Sequence, residues 1–255
     1  MIDLNYSVYG NGHPLVFIHG GGTDSRMWED IASKMPEEYQ VITYDLRGHG
    51  ESPIPTDTTH HIKDLRQLFD YLQIEKATIV GHSLGGQIAT DFSILIPEKV
   101  RKLVLIAPGL TGFKFDEKYQ KMGRKIWGAV PDVDAMLKIM LNTPDAYAMH
   151  KSMRSKKAGE IEQIHRDNII KSLQWKNFEQ DWPLSHTVER LEELSAPVLF
   201  LTGSDDKKDI FKIRDLFHSV PDISFREIEG ADHGLIATNV KEISKAIIQF
   251  IDAEN

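Results

Sequence analysis

The segment Ile79-Val80-Gly81-His82-Ser83-Leu84-Gly85-Gly86 places a serine where its hydroxyl can be driven to attack. Residues 77–80 predict a short buried strand and residues 84–96 a helix, so this G-x-S-x-G run falls on a strand-to-helix turn. On such a turn the serine is strained, and its Oγ stands free at the carboxyl end of the sheet, near the positive end of the helix. Glycines on either side remove side chains that would collide as strand and helix pass. An incidental serine in a Gly-rich turn is the plainer reading. The β-branched strand before it and the amphipathic helix after it favour a nucleophile.

A serine nucleophile needs a base, and the base needs an orienting group. Glu229-Gly230-Ala231-Asp232-His233-Gly234 follows the strand-like residues 223–228, so His233 leaves a strand in a Gly-flanked loop. The apolar strand 197–202 ends in Gly203-Ser204-Asp205-Asp206, which offers two carboxylates. Asp232 is a third, but adjacency to His233 is a poor position from which to bond its ring Nδ1. The last requirement is a place for an oxyanion. The apolar strand 15–18 empties into His19-Gly20-Gly21-Gly22, whose backbone N–H groups a ligand can approach unobstructed. Gly21 N–H and Leu84 N–H are the expected donors. His19 is expected to brace the loop. A phosphate cradle is the weaker reading, since neither G-x-G-x-x-G nor G-x-x-x-x-G-K-[ST] is present.

These residues, with Asp45-Leu46-Arg47-Gly48-His49-Gly50-Glu51-Ser52 after the strand 41–44, resemble a cap-bearing α/β-hydrolase across essentially the whole chain. The resemblance implies a mostly parallel sheet flanked by helices, with triad members in the chain order Ser83, Asp, His233. It implies Asp206 over Asp205, because the family's acid stands three residues after the glycine. Some relatives carry the acid after the preceding strand, but Val100 to Ile106 here runs into Ala107-Pro108-Gly109. The 45–52 loop is structural in the family. A serine at the elbow argues against the dehalogenases and most epoxide hydrolases of the superfamily, which use aspartate there. The family hosts many reactions, so the fold alone does not name the substrate.

Alternating strands and helices predict that sheet independently: residues 4–9 an edge strand turning back at Gly10-Asn11-Gly12 into 14–18, helices over 60–72 and near the carboxyl end. The alternation fails over 111–185, which carries helical patterns, five of the methionines (Met122, Met136, Met140, Met149, Met153) and Trp127, Trp175 and Trp182. This predicts a helical cap at 111–185, inserted after the sixth core strand, on a core of 1–110 and 186–255. Met and Trp make adaptable apolar walls. Trp127 and Met140, with Gly22 and His82, are candidate pocket residues, although any one apolar helix-face residue more often serves the core. The His82 side chain itself is expected to point away from the triad. The basic run 151–157 is expected to be a solvated face. His60 and His61 show no metal-ligand spacing, and His49, His150, His165 and His186 no interpretable spacing.

Composition narrows the classes. The 255 residues are 41% hydrophobic and 27% charged, with a formal net charge of −8 and no cysteine. The charge argues against a nucleic-acid surface, and zero cysteines exclude disulfides, a Cys nucleophile and Cys-based zinc. No apolar run approaches a membrane span. Met1-Ile2-Asp3-Leu4-Asn5 shows no signal-peptide pattern, so a cytoplasmic location is expected. The expected activity is hydrolysis of small carboxylic esters without a cofactor, by a monomer or a homodimer. A C–C bond hydrolase or lactonase, or a slow-turnover ligand sensor retaining the triad, are the alternatives.

Overall fold

In a computed structural model, residues 2–142 and 149–253 are described. Seven strands form one sheet: β1 (Tyr6–Tyr9), β2 (His13–Ile18), β3 (Tyr39–Tyr44), β4 (Ala77–His82), β5 (Val100–Ile106), β6 (Val198–Gly203) and β7 (Ile223–Ile228). Their order is β1-β3-β2-β4-β5-β6-β7, and every pairing is parallel except β1 with β3. A central parallel strand is covered on both faces, which is why β4 and β6 read as continuous apolar runs and are buried throughout.

The helices are α1 (Glu29–Ala32), α2 (His61–Tyr71), α3 (Leu84–Leu95), α4 (Glu117–Gly128), α5 (Val133–Asn142), α6 (Ala158–Ser172), α7 (Lys208–Leu216), α8 (Leu235–Thr238) and α9 (Val240–Asp252). On α2, Ile62, Leu65, Leu68 and Phe69 are buried at helical spacing. On α9, Ile243, Ala246 and Ile247 are. Trp28, Phe17, Phe69, Phe92, Phe200 and Phe217 are the bulky members of the main core.

Two expectations are corrected. The Gly10–Gly12 turn does not fold β1 back onto β2; β1 lies beyond β3, pairing Tyr6 with Tyr44 and Tyr9 with Val41. Parallel pairing with both β3 and β4 already occupies both edges of β2. The helical insertion follows the fifth strand, β5, not a sixth, since a single antiparallel strand precedes β2 in the chain.

The insertion carries α4, α5 and α6, which share a small core of their own around Met122, Ile126, Met136, Leu137 and Ile169. Of the expected 111–185 cap, residues 143–148 lie outside the described residues. No helix among the described residues is long and apolar enough to cross a membrane. Because β2, β4, β6 and β7 run parallel, their carboxyl ends open on one edge. The chain delivers there the 19–22 loop, Ser83, Asp206 and His233.

Candidate active site

The turn after β4 is strained at its serine. Ser83 has φ 52° and ψ −113°, the left-handed side that L side chains avoid. Its backbone is held by Ser83 N donating to Ile106 O at 3.1 Å and by Gly109 N donating to Ser83 O at 2.8 Å. The flanking glycines are required by close approach. A Cβ on Gly81 would strike the Gly85 carbonyl, and one on Gly85 would strike the Ile18 carbonyl of β2. Larger residues at either position would push strand and helix apart.

Ser83 Oγ lies 3.1 Å from His233 Nε2, and His233 Nδ1 lies 3.0 and 3.2 Å from the two oxygens of Asp206. An ionised carboxylate only accepts, so Nδ1–H donates to Asp206 and Nε2 takes the serine hydroxyl proton's hydrogen bond. The Asp206 side chain is fully enclosed. Burial alone would raise its carboxyl pKa, but the His233 ring and Lys207 outweigh burial and hold it below the usual carboxylate value. Lys207 N also donates to Asp206 Oδ1 at 2.7 Å.

The other two carboxylates are assigned by their partners. Asp205 faces outward and pairs with Lys151. Asp232 accepts from Lys151 N at 2.8 Å, Ser152 N at 2.9 Å and Gly234 N at 3.1 Å, and also from Ser152 Oγ. The 151–157 run is therefore not merely a solvated face. Its first two residues are tied to the loop that carries His233, because the backbone of the 3-10 turn Ser152–Arg154 needs a buried acceptor there.

His82 is a further correction. Its ring does not point away from the triad; it lies 5.0 Å, centre to centre, from the His233 ring, and its Nε2 donates to the His233 carbonyl at 3.0 Å. As the last residue of fully buried β4, it has no solvent side to turn to. Burial pushes its pKa down to about 3, so the ring is neutral.

On the opposite side, His19 Nδ1 donates to Gly20 O at 2.8 Å, while its Nε2 accepts from Leu46 N at 2.9 Å. The 19–22 loop is thereby pinned to the 45–52 loop. That second loop is organised by Asp45, which accepts from Ser25 N and Glu51 N, and by Arg47, which pairs with Asp3 and Asp64. Gly21 stands against Leu84, with room for a Cβ only 3.5 Å from Leu84 Cδ2. Leu84 opens α3, so its N–H has no acceptor within the helix.

A cavity of about 470 Å³ lies over Ser83 and His233, between these loops and the inserted helices α4, α5 and α6. Trp127, Trp175, Phe178, Phe115 and Met140 give it an apolar wall; Gln87, His49, His165 and Gln180 give the polar groups. None of its described lining residues is Asp, Glu, Lys or Arg. Gly22, His82, Trp127 and Met140, expected pocket residues, all line it, and Met140 also packs in the cap's core. His49 and His165 are the residues that spacing could not flag. They come to line one cavity because α6 is tied to the 45–52 loop, Asn168 accepting from Gly50 N and Lys171 donating to Gly50 O. Among the described residues no cluster of three His, Cys, Asp or Glu side chains is arranged to hold a metal.

The family pattern described as alpha/beta hydrolase fold matches residues 13–130. A 2-hydroxy-6-oxononadienedioate/2-hydroxy-6-oxononatrienedioate hydrolase of Paraburkholderia xenovorans is 30% identical over 224 residues, covering 81% of this chain and 75% of that protein. The chain belongs to the α/β-hydrolase family. An uncharacterized carboxylesterase of Bacillus subtilis is 28% identical over 251 residues, 94% of this chain and 80% of that one. The solved carboxylesterase of the thaumarchaeon Nitrososphaera gargenis superposes with a TM-score of 0.79 at 24% identity, over 97% of this chain and 93% of that one. Uncharacterized mycobacterial proteins match at 36% identity over 107 residues, and there the chain spans only 31% of their length.

Proposed function

We propose that this α/β-hydrolase is a serine esterase acting on small, uncharged carboxylic esters. The observation that carries this reading is the Ser83–His233–Asp206 hydrogen-bond chain opening into a 470 Å³ cavity with no charged side chain on its described walls. In the proposed reaction His233 Nε2 removes the Ser83 proton as Oγ attacks the ester carbonyl. Asp206 holds the imidazole in the required tautomer and stabilises the imidazolium. The N–H groups of Gly21 and Leu84 receive the developing oxyanion. His233 then protonates the leaving alcohol, and the acyl-enzyme is released by water that His233 activates in turn.

The wall chemistry also weighs between the alternatives. A dienedioate, as in the name of the Paraburkholderia relative, carries two carboxylates, and burying them without a cation is costly. A lactone is uncharged and fits the same walls, so lactonase activity remains the second reading. The test is a panel of phenyl and p-nitrophenyl esters, lactones and dienolic diketones, run with wild type and Ser83→Ala, alongside fluorophosphonate labelling. Ester turnover and labelling, both lost in Ser83→Ala, are the expected result. Fast turnover of the diketones with inert esters would reverse the order of the readings, and one slow covalent event without turnover would point to a ligand sensor.

A further inference from the structure

One polar side chain in the cavity wall has no task in that mechanism. His165, on α6 of the inserted helices, is 7% exposed, and neither Nδ1 nor Nε2 makes a well-formed hydrogen bond among the described residues; the Gly22 backbone beside it offers only a contact short of that geometry. A buried imidazole left in this condition is costly, and native proteins seldom retain one without a use. Its neighbour one turn on, Asn168, is fully engaged: Nδ2 donates to Asp24 and to Ile164 O, and Oδ1 accepts from Gly50 N. The Gly22 backbone passes close to His165; a Cβ there would sit 3.5 Å from Nδ1, and φ of 70° keeps that position suited to glycine. The ring therefore fronts the cavity beside the 19–22 loop, with Trp127, Trp175 and Phe178 among the other lining residues. Burial pushes its pKa down to about 4, so near neutral pH it carries one N–H donor, one lone pair and no charge.

We propose that His165 is a specificity-determining residue that binds a neutral oxygen, hydroxyl or carbonyl, carried by the substrate away from the scissile carbonyl. The preferred esters are then oxygenated, not plain hydrocarbon, chains or rings. A carboxylate is not the expected partner, because the described lining residues include no Lys or Arg to offset the buried charge beside the uncharged ring. This inference rests on the esterase reading for its substrate class.

The test compares two pairs of esters matched in size. Phenyl 5-oxohexanoate against phenyl 5-methylhexanoate places the oxygen on the acyl side, and 4-(hydroxymethyl)benzyl acetate against 4-ethylbenzyl acetate places it on the alcohol side. Wild type should favour the oxygenated member of one pair by about tenfold or more in kcat/KM, the scale of a buried polar group left unpaired. His165→Leu should abolish that ratio, and His165→Asn should keep part of it, with fluorophosphonate labelling of Ser83 confirming an assembled site in each variant. Parity in both pairs with wild type, or a preference that survives His165→Leu, overturns the proposal. Tryptophan fluorescence titration of Ser83→Ala with the same pairs separates the two ideas. Tighter binding of an oxygenated member supports the subsite even if no ester turns over, and equal binding of both members overturns the subsite while leaving esterase turnover to be judged separately.

Discussion

At the residue scale, three carboxylates near one histidine are engaged in three different ways, and this sorting makes firm predictions. Asp206 holds Nδ1 of His233, so Asp206→Asn should lower kcat by roughly 10⁴-fold, the scale seen when an orienting aspartate is lost in serine proteases. Asp205 faces Lys151 at the surface, and Asp205→Asn should leave kcat within a few-fold of wild type, as surface ion pairs contribute little. Kinetics on one good phenyl ester decides this, and comparable losses in the two variants would mean that Asp206 does not orient the base. The grouping of Ser83 and His233 was legible in the sequence because each sits in a Gly-flanked turn just past a strand, whereas the choice of Asp206 over Asp205 came from the family resemblance, whose acid stands three residues after the glycine. His82 and His165 were not, since a lone histidine acquires its partner, or lacks one, only through packing between distant segments.

At the element scale, strands and helices were legible wherever apolar periodicity was strong, as in β4, β5 and α9. The pairing of β1 was not, because a glycine turn looks alike whether the strand folds back or crosses to another neighbour. The helical insertion was visible as a break in alternation, but its attachment to the sheet's loops was not. Asp232 receives two backbone N–H groups and a hydroxyl from Lys151 and Ser152, coupling the cap to the loop of His233. Asp232→Asn should cost about 1–3 kcal/mol, the scale of buried donors losing a charged acceptor, and open the 151–155 segment to trypsin. Unchanged urea stability together with unchanged digestion would show that the tie carries no load. The cap's wall residues should separate as well. Trp127 is half exposed, lines the cavity and meets Phe178 edge-on, so Trp127→Ala should shift the acyl-length profile with little change in stability. Met140 packs within the cap core, so Met140→Ala should lower stability by about 2–5 kcal/mol. An acyl-length series and a denaturation curve for each variant check the division, which fails if both move the same property.

At the scale of the whole molecule, the chain buries an unusual set of neutral imidazoles around its loops and cap. Burial lowers the pKa of His49 and His82 to about 3, of His61 and His165 to about 4, and of His19 below its ordinary value. A base whose folded pKa is depressed contributes its full stability above the unfolded value near 6.5 and loses it as pH falls toward the folded value. Asp91 acts in the opposite direction. Buried on α3, where it accepts hydrogen bonds from Thr111 and Thr187 on either side of the helical insertion, it is raised to about 6, so its contribution is greatest in acid and lost as pH rises through 6. At pH 5 each of the four imidazoles lowered to about 3 or 4 costs roughly 2 kcal/mol relative to neutral pH, and the single Asp91 returns roughly 1 kcal/mol. The histidines win, and the sum is comparable with the whole stability of a domain. Urea unfolding at pH 7.5, 6.5, 5.5 and 4.5 should therefore show stability falling steeply below pH 6.5, with the fold lost above about pH 4. His61 offers the control, since its ring packs on Trp182, neither nitrogen makes a well-formed hydrogen bond among the described residues, and it is not among the described lining residues of the cavity. His61→Leu should match or exceed wild type at pH 7.5 and hold its stability to lower pH, because it removes a group that unfolding allows to protonate. Equal wild-type stability at pH 7.5 and 5 would mean that these rings take protons within the folded protein, and the acid-lability argument would fall with them.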